Sequence, residues 1–166
     1  MRIKEVKLYK FSELSNEAKD KAIEKLWDIN VEFDWWNFTY EDAEQAGLKI
    51  TGFDFDRGYC NGNFITNAEF SAKKIIEDHG ENCETYKTAK QYLTELSTAK
   101  GIHSIADMPD EEFEHDDLDN EFLKSLLEDY RIILKQEYEF QTSKDAIIET
   151  IEANDYEFTE DGKLDK

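Results

Sequence analysis

Leu118, Phe122, Leu126 or Leu127, Tyr130, Ile133 or Leu134, and Tyr138 recur at steps of three and four for over 20 residues. That spacing places them on one face of a helix and predicts the longest helix of the chain. One proline and seven glycines leave few breakers, and long elements joined by short connections follow.

The same periodicity appears earlier. Ser12-Glu13-Leu14-Ser15-Asn16-Glu17 offers capping oxygens and first-turn acids, and Ala18, Ala22, Leu26, Ile29 and Phe33 follow at helical spacing, predicting a helix over 16–30. Trp36, Tyr40 and Ala43 predict a second helix over 35–46, with Gly47 where a C-terminal glycine belongs. From Leu48 the period falls to two, through Ile50, Gly52, Phe53 and Phe55, predicting a strand of about nine residues. Asn61-Gly62 is the pair a type I′ turn favours, and Phe64–Phe70 returns with strand character, so a hairpin is expected near 48–70. Residues 71–78 and 83–100 read as helices, 101–117 as a long acidic loop, and Ser143 as the cap of a short helix carrying Ile147, Ile148 and Ile151. An opening strand over 2–11 and a terminal strand at Tyr156–Thr159 complete the pattern. The expectation is a single acidic α+β domain over 1–166, with a small antiparallel sheet packed against several helices.

Composition agrees with a folded chain and limits its chemistry. The mean hydropathy is −0.77 and the net charge −20, values that lean toward disorder, but 11 Phe, 8 Tyr and 3 Trp are too many large aromatics for a chain with nothing to bury. With 40 acidic against 20 basic residues, direct binding to bare nucleic acid is disfavoured, because that affinity comes from cations. No stretch approaches the about 18 apolar residues of a membrane span, and the N-terminus lacks the apolar run of a secretory signal. Cys60 and Cys83 are compatible with free thiols in a reducing cytoplasm, with one disulfide left open. A cytoplasmic location is expected.

Charge is unevenly placed. Residues 1–83 hold 11 basic and 17 acidic side chains, residues 84–166 hold 9 and 23. The densest run is Asp107, Asp110, Glu111, Glu112, Glu114, Asp116, Asp117, Asp119 and Glu121, nine acids in 15 residues without a lysine or arginine. As a helix it would carry one negative charge every ~2.5 Å, near the one per ~1.7 Å of duplex DNA. Such a surface can steer a basic partner at long range, or it can simply keep a loop solvated. The candidate partner-binding residues are Asp110, Glu111, Glu112, Glu114, Asp116, Asp117, Asp119 and Glu121.

Other constellations are weaker. Asp54 and Asp56 would share one face of a strand opposite Phe53 and Phe55, a pair able to meet a divalent cation, but no spacing fixes a third ligand. His79, Cys83 and Cys60 do not make a zinc pattern, and no base adjoins Cys60. His103 and His115 lie near the acidic run, and of adjacent Trp35 and Trp36 one is expected to face the core and the other to be partly exposed. No catalytic residue, metal site or cofactor is assigned.

Four stretches carry a resemblance: Leu8–Lys19, Asp34-Trp-Trp-Asn-Phe through Gly52-Phe-Asp-Phe-Asp-Arg-Gly58, His79-Gly-Glu-Asn-Cys-Glu-Thr-Tyr86, and Tyr156–Gly162. Together they resemble a family of small phage and prophage proteins labelled antitoxins of toxin–antitoxin stability systems. The resemblance implies a mobile-element origin, and small acidic phage proteins frequently bind host proteins, including nucleases and CRISPR effectors. The expected function is therefore a non-enzymatic factor whose acidic surface engages a basic, nucleic-acid-binding host or defence protein in the bacterial cytoplasm. It would act as a DNA mimic or anti-defence inhibitor such as an anti-CRISPR. The alternatives are an antitoxin occupying a toxin's active site, or a metal- or nucleotide-binding enzyme built around Asp54, Asp56, Arg57 and the histidines. The residues set no oligomeric state.

Overall fold

The computed structural model describes residues 1–106 and 115–165, the side chain of His103 excepted. In chain order its elements are β1 (Tyr9–Lys10), a 3₁₀ turn (Phe11–Glu13), α1 (Asn16–Lys25), α2 (Asn37–Gln45), β2 (Leu48–Asp54) and β3 (Tyr59–Phe64). They continue with α3 (Ala68–Asp78), α4 (Glu84–Ile105), α5 (Asp116–Gln141), α6 (Lys144–Ala153) and β4 (Glu157–Phe158). The fold is α+β, with two antiparallel sheets of two strands each among the described residues. Its contacts divide into two compact units, Met1–Trp35 with Gln136–Lys166, and Trp36–Lys135.

In the first unit β1 pairs with β4, Tyr9 opposite Phe158 and Lys10 opposite Glu157. Phe11, Leu14, Ala18 and Ala22 pack with Ile147, Ile151 and Phe158 into a small core. Ser15 and Ser143 each accept a hydrogen bond from the backbone three residues on, capping α1 and α6 where their hydroxyls predict it. Two expectations fail here. The opening strand is confined to Tyr9–Lys10, because β4 is only two residues long and offers no further ladder. Helix α1 stops at Lys25 rather than near residue 30, because the buried Asn30 spends its side chain elsewhere. Its Nδ2 donates to the Gln141 carbonyl at 3.0 Å and its Oδ1 accepts from Thr150 Oγ1 at 2.6 Å, pinning a series of turns.

The second unit is built on the hairpin. Leu48 and Ile50 of β2 point inward with Ala68, Ala72 and Ile75 of α3, Ala89, Tyr92 and Leu96 of α4, and Phe122, Leu126 and Tyr130 of α5. The turn lies at 55–58, not at Asn61-Gly62. Asp54 Oδ1 accepts from the Arg57 backbone N–H at 2.9 Å and Gly58 takes φ +69°, which together close the chain early. Asn61 and Gly62 then lie inside β3, opposite Gly52 and Ile50 across a register shift. The strand character extended to Phe70 ends at Phe64, since Asn67 Oδ1 accepts from the Phe70 N–H at 2.8 Å and starts α3 three residues before the predicted position.

Candidate partner-binding surface

Helix α4 turns Thr85, Ala89, Tyr92 and Leu96 inward, and α5 does the same with Phe122, Leu126 and Tyr130. Tyr92 stacks on Phe122 at 4.4 Å between centroids, and Phe122 on Phe64 at 5.4 Å. At the edge of this seam Thr88 Oγ1 donates to Asp129 Oδ2 at 2.6 Å and Tyr92 OH donates to Asp119 Oδ1 at 2.6 Å, so two side-chain bonds set the register of the helices. Between them runs a groove lined by Thr88, Gln91, Glu95, Glu121 and Ser125.

The acids around this groove differ in what holds them. Asp116 and Asp117, in the first turn of α5, and Glu121, in the second, are exposed and make no ion pair among the described residues. Carboxylates there also interact favourably with the positive end of the helix. Asp119, grouped with them by sequence, instead turns toward α4. It takes the Tyr92 hydroxyl, and His115 Nδ1 stands 2.9 Å from the same oxygen, the donor in the tautomer protonated there. Burial first, and the Asp119 carboxylate second, push the Tyr92 hydroxyl well above its ordinary range. Farther along α5, Glu128 accepts from Arg131 Nε at 2.7 Å and Nη2 at 2.6 Å, which holds its carboxyl below the usual range. Burial pushes the Asp129 carboxyl up, against the Thr88 hydrogen bond, with Glu84 and Glu128 nearby adding to the rise. The start of α5 thus presents three exposed carboxylates, Asp116, Asp117 and Glu121, with no ion pair among the described residues. Asp110, Glu111, Glu112 and Glu114 lie outside the described residues, as does Asp107, and α4 takes 101–105 from the predicted loop.

The other predicted constellations are structural or separate. Strand β2 ends at Asp54, so Asp56 sits in the turn and does not share a strand face with it; Asp54 is engaged by Arg57. Phe53 and Phe55 do lie together, 5.1 Å apart, with Trp36 5.9 Å from Phe53. Among the described residues no three His, Cys, Asp or Glu side chains converge to hold a metal ion. Cys60 and Cys83 are both free, and burial pushes the Cys60 thiol up to about 11, opposite to what a nucleophile requires. Trp35 is buried against Tyr138 at 5.5 Å while Trp36 is partly exposed, as expected, although both lie in the turn before α2 rather than on the helix that the expectation assumed.

One part-buried network escapes sequence reasoning. His79 Nδ1 lies 2.7 Å from Thr85 Oγ1, its Nε2 is 3.6 Å from Asp42 Oδ1, and Tyr130 OH donates to Asp42 Oδ2 at 2.8 Å. It joins α2, α4 and α5 with the residue ending α3. Thr85 is 2% exposed, so the Thr-His-Asp order does not present a nucleophile; the arrangement satisfies the buried Thr85 and Tyr130 hydroxyls through His79 and the solvent-facing Asp42. No motif announces it, because each member comes from a different element.

No helix among the described residues is long and apolar enough to cross a membrane. No family model, curated protein or solved structure matches the chain.

Proposed function

We propose that this chain is a non-enzymatic, phage- or prophage-encoded protein-binding factor of the bacterial cytoplasm. Its acidic surface engages a basic, nucleic-acid-binding host or defence protein in place of DNA, as an anti-CRISPR or other anti-defence inhibitor would. The observation that carries the reading is the exposure of Asp116, Asp117 and Glu121 at the start of α5, with no cationic partner among the described residues, beside Glu95 of α4. Asp117 and Glu121 are one helical turn apart, about 6 Å along the axis, so their charges present a line to a partner rather than a diffuse cloud. A basic cleft that binds phosphates gains from such a line for the same reason that it gains from nucleic acid.

The test is a tagged pull-down from bacterial host lysate at low and moderate salt, eluted with duplex DNA and read by mass spectrometry. The expected result is a DNA-binding protein released by DNA, whose capture is lost when Asp116→Lys, Asp117→Lys and Glu121→Lys are combined in a chain that keeps its circular dichroism. Unchanged capture by that variant removes these residues from the mechanism. A small toxin that resists DNA elution replaces this reading with the antitoxin one.

A further inference from the structure

Residues 1–8 form neither helix nor strand and leave Ile3, Val6 and Leu8 84, 54 and 37% exposed. Arg2, Lys4 and Lys7 alternate with them and make no ion pair among the described residues, and Glu5 is the one acid of this arm. The same compact unit carries the opposite pattern after α1. Trp27 and Phe33 are 50 and 65% exposed, and Glu24, Asp28, Glu32 and Asp34 flank them, again without an ion pair among the described residues. The backbone beneath these aromatics is held. Asn30 bonds both the Gln141 carbonyl and the Thr150 hydroxyl, and Val31 N–H donates to the Asp28 carbonyl at 2.8 Å.

We propose that the arm of one copy docks on the Trp27–Phe33 surface of a second copy, reciprocally, to give a two-fold symmetric dimer. The surface calls for aliphatic side chains to cover its rings and for cations to meet its carboxylates. The arm supplies both in one segment, and lysine or arginine over an indole adds a cation–π contact. Each copy offers one arm and one surface, so a two-fold axis satisfies all four at once. Copies with a net charge of −20 otherwise repel, and the basic arm provides the local attraction that association needs. This contact uses none of the residues that line the α4–α5 groove, and its failure leaves the function proposed above untouched.

Sedimentation velocity of the full chain over about 5–500 µM tests it, and a concentration-dependent dimer is expected. Its dissociation constant should rise about tenfold or more between about 50 and 500 mM salt. Arg2→Glu with Lys4→Glu and Lys7→Glu, and separately Asp28→Lys with Glu32→Lys and Asp34→Lys, should each give a folded monomer. An equimolar mixture of the two variants should dimerise again, because each reversed arm or surface then meets its complement. A full chain that stays monomeric at every concentration overturns the proposal, as when removing residues 1–8 changes Trp27 fluorescence without changing mass and so reveals docking within one chain. A dimer indifferent to both reversals overturns it equally.

Discussion

Two glycines of the hairpin show how one residue type serves different physical needs. Gly58 has φ +69° with open space where a Cβ would stand. Gly62 carries no such backbone demand, but a Cβ there would meet the Lys49 carbonyl oxygen at 2.5 Å and Leu127 Cδ2 at 3.1 Å. Gly58→Ala is expected to cost about 1 kcal/mol of left-handed strain, with Gly58→Asn costing less. Gly62→Ala should cost about 2–3 kcal/mol, because the backbone of β2 or helix α5 must give way. Urea denaturation of the three variants checks the order. The Asn-Gly pair is a turn signal only where the backbone needs positive φ; here Asp54 closes the turn first, and the glycine is kept for close approach. Asp119 teaches the same at the candidate surface: its charge is legible in the sequence, but its engagement by Tyr92, 27 residues away, is not.

At the scale of elements, helices were the legible part. Apolar spacing predicts α2 and α5 closely and the capping serines predict the starts of α1 and α6, because both signals act within a few residues. What joins helices is less visible. Glu69 of α3 bonds Lys73 one turn on at 2.7 Å and Lys100 of α4 at 2.9 Å, and these cations hold its carboxyl at about 2, well below the usual 4.5. A carboxyl depressed on folding contributes stability above its unfolded value, and that contribution is lost as pH falls through about 2. Both lysines are largely in solvent, so Glu69→Gln should cost only about 0.5 kcal/mol at pH 7. The deficit relative to the native chain should shrink as pH falls toward about 2, in urea titrations at several pH values.

For the whole molecule, a net charge of −20 at neutral pH makes self-repulsion a property of the fold rather than of any site. Salt screens that repulsion and also weakens pairs such as Glu69 with Lys100, so the two effects oppose each other. Acids outnumber bases two to one, and repulsion should therefore win. The melting temperature is expected to rise by a few degrees, for about 1 kcal/mol, between about 20 and 300 mM sodium chloride. A fall on calorimetric scans would instead show that local pairs dominate.

The amino-acid pattern by itself determined that this chain is α+β, where its long helices run, and that its negative charge crowds into the second half. These follow from periodicity, capping and composition, which are properties of neighbours along the chain. Tertiary structure alone decided which acids at the start of α5 stay in water and which one turns to a tyrosine. It likewise decided that His79 meets Thr85 and Asp42, and that two small cores form from widely separated segments. Those outcomes depend on which side chains meet after the helices pack, and a buried polar group accepts whatever partner that packing brings within reach.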